Sequence, residues 1–128
     1  MNYYFNKTLK ITFEDAIVRV TEALQKEGFG ILTEIDVQAT LKKKLDVDFR
    51  KYRIMGACNP PFAYKALQAE DRIGLMLPCN IIVQETIDGL IEVAAINPLE
   101  SMSAVTNEKL TDIAFEVGVK LKNVIESL

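Results

Sequence analysis

The sequence predicts an α+β domain: a mainly antiparallel sheet of about five strands with two longer helices packed on one face. Three observations lead there. Apolar residues recur at helical spacing over a long C-terminal segment beginning near Thr106, and again after Thr12. Two β-rich runs, Ile81 to Ile87 and Leu90 to Ile96, flank Asp88-Gly89, a hairpin signal that demands at least one antiparallel pair. No glycine-rich strand-to-helix turn is present to support the alternative, a doubly wound parallel sheet.

The elements follow in order. Tyr3 to Leu9 alternates as a first strand, and Thr12 with Asp15 approximates a capping box. Phe13, Ala16, Ile17, Val20 and Leu24 then form the apolar face of a helix, with Gly28 as its left-handed terminator. Phe29 to Ile35 reads as a second strand. Asp36 caps a short helix with Val37, Leu41 and Leu45 on one stripe. Tyr52 to Cys58 is the third strand, and Asn59-Pro60 starts a helix that runs to about Gln68 and turns Phe62, Ala63, Ala66 and Leu67 inward. After Gly74 to Leu77 comes the hairpin, closed by Asn97-Pro98. The last helix presents Leu110, Ile113, Ala114, Val117, Leu121, Val124, Ile125 and Leu128 along one broad face.

At 128 residues the chain has the size of one domain, residues 1–128, with no repeat and no linker. Hydrophobic residues make up 49% and the formal net charge is −3, which is globular and argues against a dedicated nucleic-acid binder. No apolar window suits a membrane span, and the first residues do not read as a leader, so the expected place is the cytoplasm with no membrane partner. Histidine is absent. Any catalysis must therefore use carboxylates, lysine, tyrosine or cysteine.

The residues with most chemical interest are two similar tripeptides, Cys58-Asn59-Pro60 and Pro78-Cys79-Asn80, each at a strand edge. Neighbouring strands would open both thiols at one end of the sheet. Cys58 would precede a helix N-terminus, where peptide dipoles favour a thiolate. The plainer reading is that both are half-buried residues at strand ends. Met55, Met76 and Met102 are soft donors that would suit copper(I), but scattered methionines usually fill cores, and neither a metal nor another cofactor is expected. Glu34 and Asp36, with Lys42 beyond, form a polar cluster that either borders a pocket or caps and pairs on the surface. A two-residue hairpin turn would set Glu85 opposite Glu92, an unfavourable pair that a partner's lysine, a cation or a shared proton could compensate; the plainer reading is that both point into water or that a longer loop shifts the register. The stretch from Lys42 to Arg53 is basic but lacks the aromatic pattern of a nucleic-acid surface. Phe115 and Val119 lie opposite the main stripe of the last helix, where they either contact a second copy or are covered by their own chain.

Gly56-Ala57-Cys58-Asn59-Pro60, then Leu77-Pro78-Cys79-Asn80, then Ile96-Asn97-Pro98 with Met102 form an ordered set. The sequence so marked resembles the bacterial and archaeal family called domain of unknown function 302. That resemblance covers nearly the whole chain, with its motif falling on Gly56, Cys58, Asn59, Pro60, Pro78 and Cys79. It implies a β-α-β(4)-α fold and homodimers, and it implies no activity.

Two functional expectations of different class follow. In one, a homodimeric binding or sensing module holds a small polar or soft ligand near Cys58, Asn59, Cys79 and Asn80, with Glu34 and Asp36 at the border. In the other, a thiol-dependent enzyme uses Cys58 as nucleophile or redox centre with Cys79 as partner. A purely structural assembly domain is the third possibility.

Overall fold

The computed structural model describes residues 2–128. Its elements are β1 (Tyr4–Leu9), α1 (Phe13–Lys26), β2 (Gly30–Asp36), α2 (Val37–Leu45), β3 (Tyr52–Cys58), α3 (Pro60–Ala69), a 3₁₀ segment (Asp71–Met76), β4 (Cys79–Glu85), β5 (Ile91–Ile96), the single turn α4 (Pro98–Ser101) and α5 (Glu108–Glu126). The five strands form one antiparallel sheet in the order β1-β5-β4-β3-β2. The fold is α+β, as the sequence predicts.

Period-two alternation sorts the sheet into two faces. Leu9, Met55, Ala57, Cys79, Ile81, Val83, Ile91, Val93 and Ala95 point to the helical side and are buried. Against them lie Phe13, Ala16, Val20 and Leu24 of α1 and Val117, Leu121, Val124 and Ile125 of α5, which complete one continuous core. The Thr12 hydroxyl accepts the amide of Asp15 at 3.1 Å, and Gly28 at φ 86° ends the α1 region in the left-handed conformation. Lys7 alternates onto the helical side as well. Its ammonium donates to the main-chain oxygens of Glu126 (3.1 Å) and Leu128 (2.5 Å), where cations complement a helix C-terminus. The opposite face carries Tyr4, Ile54, Ile82, Ala94 and Ile96, half-buried rather than sealed.

The structure departs from the sequence reading at several boundaries. β4 starts at Cys79 and stops at Glu85, and α5 is capped by Asn107, whose side chain accepts from Lys109 N. The hairpin is the largest difference. Gly89 has φ 77°, but Asp88 does not enter the left-handed region, so a type I′ turn over that pair does not form. Thr86 N donates instead to Leu90 O at 2.8 Å, closing a loop longer by one residue. Gln84, not Glu85, therefore faces Glu92, and its amide donates to that carboxylate at 2.7 Å. Asn6 donates to the other carboxylate oxygen at 3.0 Å. No carboxylate pair is formed across the hairpin.

Candidate ligand cavity

One end of the sheet carries a cavity of about 290 Å³ whose wall is almost entirely apolar. β3 ends there, β4 begins there, and α3 and α5 pack on each other above it. The space exists because the facing positions hold small side chains: Ala57 on β3, Ala63 and Ala66 on α3, and Ala114 on α5. Phe29, Phe62, Met102 and Val117 complete the deeper wall, while exposed Leu32 and Leu67 stand at the rim.

Both cysteines line this cavity. The register sets Ala57 opposite Cys79, so Cys58 is one residue beyond that pair, at the last position of β3. Both thiols are free; Cys79 is buried and Cys58 half-buried. Burial, with an added contribution from the neighbouring Cys58, pushes the Cys79 thiol up from 9.0 to about 11.

Asn59 also borders the cavity but does not serve it as a donor. It is the buried polar residue among those described, and its side-chain N–H donates to Glu27 O at 3.1 Å. The helix cap expected of it is absent. Pro60 and Pro61 occupy the first helical positions and have no N–H, leaving Phe62 as the first residue of α3 with one to offer. The helix terminus beyond Cys58 is thus poor in the donors that would hold a thiolate.

The remaining expected site residues lie elsewhere. Asn80 pairs with Gly56 on the other face of the sheet and is exposed. Asp36 caps α2, accepting Ala39 N at 3.0 Å, and reaches Arg53 at 3.9 Å. Glu34 is exposed on the edge strand β2, and neither acid lines the cavity. Lys42 pairs with Asp46 (3.1 Å) and Asp48 (3.3 Å), Lys51 with Glu14 (3.3 Å) and Arg53 with Asp36, so three of the six basic residues in that stretch have acidic partners. Phe115 and Val119 are 59% and 44% exposed, so their own chain does not cover them. Met55 is fully buried in the core, whereas Met102 reaches the cavity wall. Among the described residues no three or more Cys, Asp or Glu side chains are grouped to hold a metal ion.

Gly56 explains one motif position. A Cβ there would lie 2.2 Å from Thr33 Oγ1 and 2.6 Å from Pro78 Cγ, closer than real Cβ atoms come. Only glycine lets Pro78 close over β3 beside the cavity. Sequence reasoning found the two thiols but missed the apolar lining. The signal available was the run of alanines at inward positions of α3 and α5.

No helix among the described residues is long and apolar enough to cross a membrane. A search of curated proteins finds no match. Among solved structures, that of an uncharacterized conserved DUF302 protein from Bacillus stearothermophilus superposes with a TM-score of 0.90. It is 25% identical and the match covers 97% of this chain and 96% of that one. Neither that protein's name nor the family description states an activity. The family model for the domain of unknown function DUF302 matches residues 5–128, and the chain belongs to that family.

Proposed function

We propose that the domain is a cytoplasmic binding module for a small apolar molecule, held in the cavity between α3, α5 and the Cys58–Cys79 end of the sheet. The observation that carries this is a wall of alanine, leucine, phenylalanine and sulfur with its one amide already bonded elsewhere. A polar guest would lose its hydration without compensating hydrogen bonds, whereas an apolar one gains roughly 25 cal/mol for each Å² removed from water. The ligand chemistry is therefore apolar, not the polar class that the asparagines first suggested. Titration with the uncharged fluorophore N-phenylnaphthylamine tests it. Saturable binding is expected, weakened at least about tenfold in Ala63→Phe, whose ring fills the space, with circular dichroism confirming the fold. Unsaturable binding, or equal affinity in the folded variant, would refute it.

Self-association is a separate reading, favoured by the half-exposed apolar face of Tyr4, Ile54, Ile82, Ala94 and Ile96. A second copy of this chain is the occupant we assign. The face bears Glu92, hydrogen-bonded by Asn6 and Gln84, and Arg50, which donates to Gln84 at 2.9 Å, so these polar groups keep hydrogen-bond partners of their own when two copies stack. Phe115 and Val119 project from the helical layer on the other side of the molecule. Light scattering at low micromolar concentration should give a dimer mass that Ile82→Glu halves and Phe115→Glu leaves intact. A monomer mass for the unaltered chain, or the reverse pattern in the variants, would end this assignment.

A further inference from the structure

Two lysines from different helices converge on one residue of the cavity wall. Lys65 on α3 places Nζ 5.6 Å from the centre of the Phe62 ring, and Lys120 on α5 places its Nζ 5.9 Å from the same centre. Phe62 itself lines the cavity. The negative face of an aromatic ring attracts ammonium groups at such distances, which keeps both lysines beside the wall. Neither forms an ion pair among the described residues, in contrast to Lys42, Lys51 and Arg53. Neither lysine lines the cavity itself; the arrangement combines an apolar interior with an outer border of two positive charges held at Phe62, both without an acidic partner among the described residues.

A wholly neutral hydrocarbon would use the interior and ignore this border, and a cationic amphiphile would be repelled by it. An anionic head with a single apolar chain satisfies both parts. We infer that the occupant of the cavity is an amphipathic carboxylate, its hydrocarbon chain lying among Ala63, Ala66, Ala114 and the two sulfurs and its head meeting Lys65 and Lys120. The inference rests on the apolar-ligand reading and adds the charge of the head. The volume of about 290 Å³ is roughly ten times one water molecule's share of the liquid, room for a chain of about ten carbons.

Calorimetric titration with decanoate and decyltrimethylammonium below their micelle concentrations and decanol below its solubility limit, all at low salt, separates the possibilities. Decanoate is expected to bind about fivefold more tightly than decanol, the gain typical of exposed charges, and the ammonium compound most weakly. Raising the salt should shrink the difference. In the double variant Lys65→Gln with Lys120→Gln, decanoate should fall to the affinity of decanol while decanol is unchanged. Decanol binding as tightly as decanoate, or decanoate unaffected by the double substitution, would overturn the carboxylate assignment and leave the apolar cavity standing. Absence of binding by all three would overturn both.

Discussion

Asn59 donates from its carboxamide to the main-chain oxygen of Glu27 at 3.1 Å, fastening the start of α3 to the end of α1. Gly28 lets the two segments approach, since a Cβ there would stand 3.2 Å from the Asn59 amide nitrogen in addition to the strain of its φ of 86°. The amide is buried, so its loss leaves a carbonyl without a partner. Asn59→Ala should cost about 1–3 kcal/mol, read from urea unfolding. A change within error would show that water replaces the amide fully.

Gly56→Ala should destabilise by about 1–3 kcal/mol through overpacking. Adding Thr33→Ala removes the contact at 2.2 Å but not the one with the Pro78 ring at 2.6 Å, so recovery should be partial. Full recovery would mean that Pro78 moves aside at no cost.

Across the hairpin, Gln84→Glu sets two carboxylates opposite one another in place of an amide donating to a carboxylate at 2.7 Å. Arg50, which donates to Gln84 at 2.9 Å, would pair with the new carboxylate and offset part of the repulsion, so the expected cost at neutral pH is about 0.5–1 kcal/mol. Like-charge repulsion would raise the folded-state pKa of one member of the new pair above its unfolded value. The deficit should therefore shrink as pH falls through the carboxylate range. Urea midpoints at pH 7 and pH 4 for the two proteins test this, and a deficit equal at both values would point to lost hydrogen bonding alone.

Cys79 links stability to alkaline pH. Its thiol is raised on folding from 9.0 to about 11, so the folded state retains a proton that the unfolded state releases. The contribution is intact below the lower value and is lost at about 1.4 kcal/mol per pH unit above it, until the folded-state thiol itself ionises. Subtracting the unfolding free energies of Cys79→Ala from those of the unaltered protein isolates this slope from lysine and tyrosine titration. A difference flat from pH 8 to pH 11 would contradict the burial of the thiol.

The same asymmetry bears on the thiol-enzyme alternative. Iodoacetamide should alkylate half-buried Cys58 first and buried Cys79 only slowly, as peptide mass mapping would report. Rapid reaction of Cys58 at pH 6 would favour a nucleophilic or redox role for the pair. Two inert thiols would remove it.

Much of the fold was legible because each principal element carries one unambiguous period. α1 and α5 show helical spacing over long spans, and β3, β4 and β5 alternate or run apolar between turn residues. The hairpin register was not legible: Asp88-Gly89 is compatible with two loop lengths, and the conformation of Asp88 decides between them. The candidate site was half legible. Cys58 and Cys79 stand out by residue type, and adjacency of β3 and β4 brings them to one wall. Asn80 was misplaced because one step along a strand reverses the face, and Asn59 because a residue before proline reads as a cap whether or not its side chain turns to one. The alanines of α3 and α5 signal small side chains at inward positions, but whether the space before them closes or stays open is decided by how the helices pack.

The strand order has a kinetic consequence. β2 through β5 follow one another as neighbours, but β1 joins β5 from the far end of the chain, as in the Asn6–Glu92 contact across 86 positions. Closing so long a loop is entropically slower than zipping a meander. During refolding, pulse-labelled amides of β1 should gain protection from exchange after those of β3 and β4, and α1, which bridges the two outermost strands, should consolidate with the late event.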